Sequence, residues 1–247
     1  MKMSYHAGCM LATVLAMALT SCVDDDDNTL YYSDYCTITG SMTEGYTLYS
    51  DAGDVLIPDL TSIYSSYGVN GFGTRRRGFF QFSFDKNNVS ERADGRSTYR
   101  QMSLLFAQGL NCKEPITLSQ ADSLHVSDAD SIWSFTPGSV WLTRGFLNVT
   151  WHGYYSIVGG VAMGPTLHLV YDPSLIATDS IGFTMYYNRH DTQPSTDDNS
   201  LTLVDCFDVS GLVASIPGSD SITVSVCIPD GTPVSSRIAR SEFVLPY

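Results

Sequence analysis

The chain is poor in positive charge. It carries 13 Lys and Arg against 26 Asp and Glu, a formal net charge of −13, and so lacks the clustered cations that nucleic-acid phosphates require. The same shortage argues against peripheral attachment to anionic lipid headgroups. Beyond the first 21 residues there is no run of about 20 apolar residues, so no later helical bilayer span is expected. Apolar repeats at helical spacing are nearly absent, and only Val209 to Ser215 reads as a helical turn. Metal-binding spacings are missing as well. His125, His152, His168 and His190 form no HxH or HExxH pattern, the cysteines form no CxxC, and the acidic stretches 122–130 and 191–199 lack the order of an EF-hand loop. No metal and no other cofactor is therefore expected.

What is present begins with an address. Lys2 is the only charged residue among the first 21, and Cys9 to Leu19 forms an apolar run too short to span a bilayer but the right length for the core of a signal peptide. Small residues Thr20 and Ser21 then precede Cys22, the pattern of a lipobox. Residues 1–21 read as a lipoprotein leader, with Cys22 as the lipidated mature N-terminus and the membrane contacted through that covalent anchor. Acyl chains contribute about 0.8 kcal/mol per buried methylene, so several of them hold a protein at the bilayer durably. Asp24, Asp25, Asp26 and Asp27 follow at once. Four adjacent carboxylates cannot be buried, and residues 22–30 read as a solvated tether. The acidic run also resembles the signal that sends certain lipoproteins to the outer face of the outer membrane. Losing Lys2 with the leader takes the net charge from −13 to −14.

The body alternates with period two. Phe80, Phe82 and Phe84 interleave with polar residues, as do Leu147, Val149 and Trp151, then Leu167, Leu169 and Tyr171, then Ile181, Phe183, Met185 and Tyr187, then Ile222, Val224, Val226 and Ile228. Turn signals such as Asp51-Ala52-Gly53-Asp54, Asp94-Gly95 and Pro217-Gly218 separate them. Short alternating strands joined by polar turns predict an all-β chain of barrels or sandwiches. Pro115 ends a strand pattern that begins near Thr98, which places one domain at 31–115 and a second at 116–247. Of six cysteines, Cys9 and Cys22 are spoken for. Proximity within each domain pairs Cys36 with Cys112 and Cys206 with Cys227, with free thiols as the alternative.

Several stretches resemble the NigD-like lipoproteins. These are the lipobox with its acidic tether, Tyr46 to Pro58, Gly145 to Thr150, Leu167 to Asp172 and Ile181 to Asp191. The resemblance runs through nearly the whole chain in order. It implies an OB-like N-terminal β-barrel followed by a C-terminal immunoglobulin-like β-sandwich, and it carries over no catalytic residue. The family's association with bacteriocin gene clusters implies a protective, immunity-like role. The chain departs from the family between Ser62 and Arg77, where a Tyr/Ser/Gly-rich stretch and three arginines replace the usual glycine-led strand.

That departure supplies the candidate interaction surface. Arg75, Arg76 and Arg77 form the one basic cluster, and Tyr64, Tyr67 and Phe72 precede it; guanidinium forks pair with carboxylates, and aromatics beside Arg are common in recognition surfaces. The ligand expected there is a protein or a carboxylated glycan. Asp-Ser-apolar triplets recur at Ser123, Ser131, Ser180 and Ser221. They read as turns entering strands, and they also resemble an O-glycosylation sequon. The sequence thus points to a surface lipoprotein of binding or protective type, without catalysis. The alternatives are a glycan-binding accessory lipoprotein of a nutrient-uptake system, with Trp133 and residues 64–72 as its aromatics, and a hydrolase with an unrecognised site.

Overall fold

The fold was obtained as a computed structural model that describes residues 28–126, 140–154, 156–158, 161–163, 166–188, 200–217, 220–227 and 233–239. The lipobox cysteine Cys22, Asp24 to Asp27, Ser131 and Trp133 lie outside them. Two compact units meet in the sequence between Gly109 and Leu110.

The first unit runs β1 (Thr29–Ser41), β2 (Gly45–Ser50), β3 (Val55–Pro58), α1 (Leu60–Tyr67), β4 (Arg77–Asp85), β5 (Val89–Glu91) and β6 (Ser97–Gly109). Its sheet follows the order β3-β2-β1-β4-β6-β5, and a parallel pairing of β3 with β6 closes β1, β2, β3, β6 and β4 into a five-stranded barrel. This is the OB-like barrel expected from the sequence. Phe80, Phe82 and Phe84 all point inward as their alternation requires, and join Cys36, Tyr46, Leu48, Leu56, Ile63, Phe72 and Met102 in one core. β6 has one residue too many for its partner: Ile57 lies opposite Arg100 and Pro58 opposite Met102, so Gln101 is squeezed out at φ 52.

α1 was not expected from the sequence. Asp59 caps it by accepting a hydrogen bond from the Thr61 amide, and Ile63, its one buried residue, packs into the barrel core. A single buried side chain is too little to produce a readable 3.6-residue repeat.

The second unit runs β7 (Cys112–Lys113), β8 (Ile116–Thr117), α2 (Leu118–Ser123), β9 (Val140–Thr143), β10 (Phe146–Tyr154), β11 (Ser156–Val158), β12 (Val161–Met163), β13 (Thr166–Tyr171), β14 (Ser180–Asn188), β15 (Ser200–Asp208), α3 (Ser210–Ser215), β16 (Ser221–Cys227) and β17 (Pro233–Ala239). α3 is the helical turn read from the sequence; α2 is a second helix that the sequence pattern does not show. A four-stranded sheet, β7-β15-β10-β9, and a five-stranded one, β17-β16-β14-β13-β8, make a sandwich, with a separate β11–β12 hairpin. Leu147, Val149, Trp151 and Phe207 of the first sheet form one core with Leu167, Leu169, Ile181, Phe183, Met185, Ile222, Val224 and Val226 of the second. Inward and outward residues alternate along β13, β14 and β16 as the sequence predicts. The pairings β15–β7, β14–β16 and β13–β8 are parallel, whereas the immunoglobulin pattern is antiparallel.

A hairpin turn at Arg144 and Gly145, both at positive φ, joins β9 to β10 and sets Leu142 opposite Leu147 and Trp141 opposite Asn148. Asn148, expected on the polar side, is fully buried and donates from Nδ2 to the carbonyls of Phe146 and Trp141 at 3.2 and 3.4 Å. No helix among the described residues is long and apolar enough to cross a membrane.

Candidate functional site

The segment from Leu60 to Arg77 leaves β3, forms α1 and a 3-10 turn at Gly68–Asn70, and re-enters the barrel as β4. Phe72 anchors it. Its ring lies 4.8 Å from Tyr46, 5.7 Å from Tyr67 and 5.1 Å from Phe80, and its amide donates to the Tyr46 hydroxyl at 3.1 Å. Gly71, at φ 50, lets the chain pass over this cluster; a side chain there would run into the Tyr46 hydroxyl and Met42. The Tyr67 hydroxyl donates to the Ala107 carbonyl at 2.9 Å.

The six candidate residues therefore separate into two groups. Tyr64 (55 % exposed), Arg75 and Arg76 face solvent, and Tyr67 is half-buried. Phe72 and Arg77 do not belong to the surface. Phe72 is 2 % exposed because the barrel core claims its ring, and Arg77 is fully buried because β4 begins there and opposes Thr37 of β1. Val69, which the sequence pattern did not single out, stands in the same segment at 73 % exposure. Its signal was available as an apolar residue between Gly68 and Asn70, in a turn that offers no core to bury it.

Arg75 is held in place. Its amide and Nη1 both donate to the Phe72 carbonyl, at 3.3 and 3.4 Å, and its aliphatic stem lies against Gly109 where a Cβ would otherwise be. Beside it Ile38, Tyr67, Phe72, Phe80, Ala107 and Gly109 enclose, with Arg75, a recess of about 60 Å³. A pocket for a small organic ligand usually measures about 300–1,000 Å³. The recess is smaller than that, with room for about two water molecules.

Arg77 works in a different place. Nη2 pairs with Asp51 Oδ2 at 2.7 Å and Nη1 donates to Thr37 Oγ1 at 2.8 Å. Around the same turn, Asp34 accepts from the Tyr35 and Ala52 amides, and Asp54 accepts from the Ser97 amide and the Tyr32 hydroxyl. Burial pushes the Asp34 carboxyl above its ordinary range and the Tyr32 phenol far above its own. Each of these carboxylates is committed to a backbone amide or to Arg77. The network fixes the 51–54 turn.

The remaining candidates fall as follows. Ser180 and Ser221 each open a strand, with Ile181 and Ile222 buried behind them, as turns entering strands should. Ser123 instead ends α2, exposed, its hydroxyl donating to the Ser119 carbonyl at 2.9 Å. His168 is half-buried beside the Thr166 hydroxyl, 3.3 Å away, and His125 is exposed. Among the described residues no group of three or more His, Cys, Asp or Glu could hold a metal ion.

All four described cysteines are unbridged thiols in the structure, the alternative to pairing by domain. Cys36 sits in the barrel core, and Cys112 lies opposite Cys206, because Leu110 onward already belongs to the second unit. Cys227 is exposed at the end of β16, as its parity requires.

No family model and no curated protein matches the sequence. Solved structures do. A Parabacteroides distasonis protein described as toxin-related is 15 % identical with a TM-score of 0.58, covering 86 % of this chain and 96 % of its own. A Bacteroides fragilis protein described as a lipoprotein is 11 % identical with a TM-score of 0.52, covering 85 % and 98 %. A NigD-like immunity protein from Bacteroides caccae is 16 % identical with a TM-score of 0.47, covering 83 % and 91 %. None of these descriptions names an enzyme. At such identities the likeness is one of fold, and that fold is the barrel followed by a sandwich which the resemblance to NigD-like lipoproteins implied.

Proposed function

We propose that this chain is a lipoprotein of the outer membrane, anchored through Cys22 and exposed on the cell surface, that acts as a non-catalytic binding or protective module. The observation that carries the binding role is the segment Tyr64 to Arg76. It presents Tyr64, Val69, Arg75 and Arg76 to solvent on a frame fixed by Phe72 and the Tyr67 hydroxyl, next to a recess of about 60 Å³. Exposed aromatic and Arg side chains on a rigid base lose little entropy on binding and favour an acidic protein partner. The lipobox supports the anchor and Asp24 to Asp27 support surface export, while the immunity-like role rests on the resemblance to NigD-like lipoproteins.

The test is made in whole cells. Cys22→Ala releases a soluble protein, and replacing Asp24 to Asp27 with Ala keeps the lipid but leaves the protein shielded from externally added protease. Unchanged protease access after the second substitution makes the acidic run a spacer only. For the binding surface, Arg75→Ala with Arg76→Ala abolishes protection against the cognate bacteriocin or capture of an acidic partner while the fold is retained. Loss of binding to an acidic polysaccharide instead would favour the glycan-accessory reading.

A further inference from the structure

Cys112 and Cys206 are opposite one another, Cα to Cα, in the parallel pairing of β7 with β15. Their sulfurs are 3.0 Å apart. Neighbouring strands lie about 4.8 Å apart, inside the range of about 4.4–6.8 Å that a disulfide spans between Cα atoms. Bringing the sulfurs to bonding distance, about 2.05 Å, takes a side-chain adjustment and no change of register. The other two described cysteines have no such arrangement. Cys36 directs its sulfur at the Asp34 carbonyl inside the barrel, and Cys227 is exposed opposite Pro233.

We infer that Cys112 and Cys206 are joined by a disulfide in the exported protein. The inference rests on the export reading above, since an oxidising compartment is what lets such a bond form and persist. The chemistry is thiol–disulfide exchange with an external disulfide oxidant. Cys112 is half-buried and Cys206 fully buried, so the oxidant meets Cys112 first. The Cys112 thiolate attacks one oxidant sulfur, and the other leaves as a thiolate. The Cys206 thiolate then attacks the Cys112 sulfur of the mixed disulfide and expels the second oxidant thiolate. Two protons pass from the protein thiols to the two departing thiolates, and the two electrons reduce the oxidant's disulfide to two thiols.

The bond would close a loop between residues 94 apart and fix a strand of only two residues. Lys113 already marks this strand as a fastening point: its ammonium pairs with Asp205, which also accepts from Trp151 Nε1 at 2.8 Å, and it donates to the Leu167 carbonyl at 3.2 Å. A disulfide beside that ion pair makes the attachment covalent.

The experiment uses the full chain purified from the native membrane. It is denatured without reductant, alkylated with N-ethylmaleimide and mapped by mass spectrometry. Cys36 and Cys227 should take the label, Cys112 and Cys206 should take it only after reduction, and their two peptides should run as one before it. In parallel, unlipidated protein is equilibrated in a glutathione redox buffer. There the same bond should form, and reducing it should lower Tm by on the order of 10 °C, a shift absent from the C112S/C206S variant. Labelled Cys112 and Cys206 on a lipidated chain overturn the inference, as does a linked Cys36–Cys112 or Cys206–Cys227 peptide. A native chain without lipid on Cys22 counts against the export reading instead, and the redox-buffer sample then decides the disulfide by itself.

Discussion

The two units solve the same problem with different materials. The sandwich core is aliphatic with few aromatics, built from Leu147, Val149, Leu167, Leu169, Ile181, Ile222, Val224 and Val226 around Trp151, Phe183 and Phe207. The barrel core is aromatic, with Tyr46, Phe72, Phe80, Phe82 and Phe84 at its centre, and the same unit also buries the guanidinium of Arg77 against Asp51. A sandwich of two sheets can be sealed by side chains that fit like bricks. A small barrel has fewer places to put them, so large rings fill it and a turn has to be tied across its strands. The lesson concerns tolerance: a charged tie fails when one end is cut, whereas an aliphatic layer fails in proportion to the volume removed.

Substitutions can break or sharpen that contrast. The largest effect is expected from Arg77→Ala, which leaves Asp51 without its cation and should cost about 3–5 kcal/mol in urea unfolding. Adding Asp51→Leu to Arg77→Met should return most of that loss, because two apolar groups of similar size leave no orphaned charge. If the double variant is as unstable as Arg77→Ala, the tie is not what holds the turn. In the sandwich, Leu169→Ala should cost about 2–5 kcal/mol, scaling with the cavity left, with no second-site charge change able to restore it.

A smaller effect follows from Asp34. Its carboxyl titrates above the ordinary 3.8 because burial disfavours its charge, so the folded chain binds this proton more tightly than the unfolded one. Asp34 therefore adds stability as pH falls through its raised value towards 3.8 and withholds it at neutral pH. Asp34→Asn has no proton to gain. Stability measured against pH should show the wild type improving relative to Asp34→Asn on acidification, and parallel curves would refute the assignment. The smallest effect on folding belongs to Arg76→Ala, expected within about 0.5 kcal/mol of the parent; Arg75→Ala should cost more, because its stem packs on Gly109 and its guanidinium bonds the Phe72 carbonyl. A larger loss at Arg76 would mean that it braces the barrel and does not merely face outward.

Much of the fold is written in the alternation of its strands, because a half-buried strand must place its apolar residues on every second position. Phe80, Phe82 and Phe84 and the run Ile222, Val224 and Val226 show this directly. Alternation also sets Arg77 with Phe79 and Gln81, away from the barrel core, and that side is correct. It says nothing about covering: what buries Arg77 comes from Thr37 and Asp51, far away in sequence, so a basic triplet that reads as one exposed patch is two exposed residues and one structural tie. The hairpin at Arg144-Gly145 adds a second blindness, since the turn resets parity and puts Leu142, not Trp141, opposite Leu147, while Asn148 keeps to the polar side of β10 and is buried by what covers it. α1 escaped because a helix that buries only Ile63 leaves no periodic trace, although Asp59 marks its start. The contact of Cys112 with Cys206 depends on where the chain passes from one unit to the next, a few residues before the proline that looks like the boundary.

β1 has a mechanical role that its place in the barrel defines. It begins at Thr29, seven residues after Cys22, so any pull transmitted from the proposed lipid enters the folded body at this strand's end. β1 is hydrogen-bonded to β4 from Thr29 to Thr37 and to β2 from Cys36 to Ser41. A load along the strand shears those two ladders together and cannot open them one rung at a time. A lipid at Cys22 would therefore load the one strand that is paired with both β4 and β2.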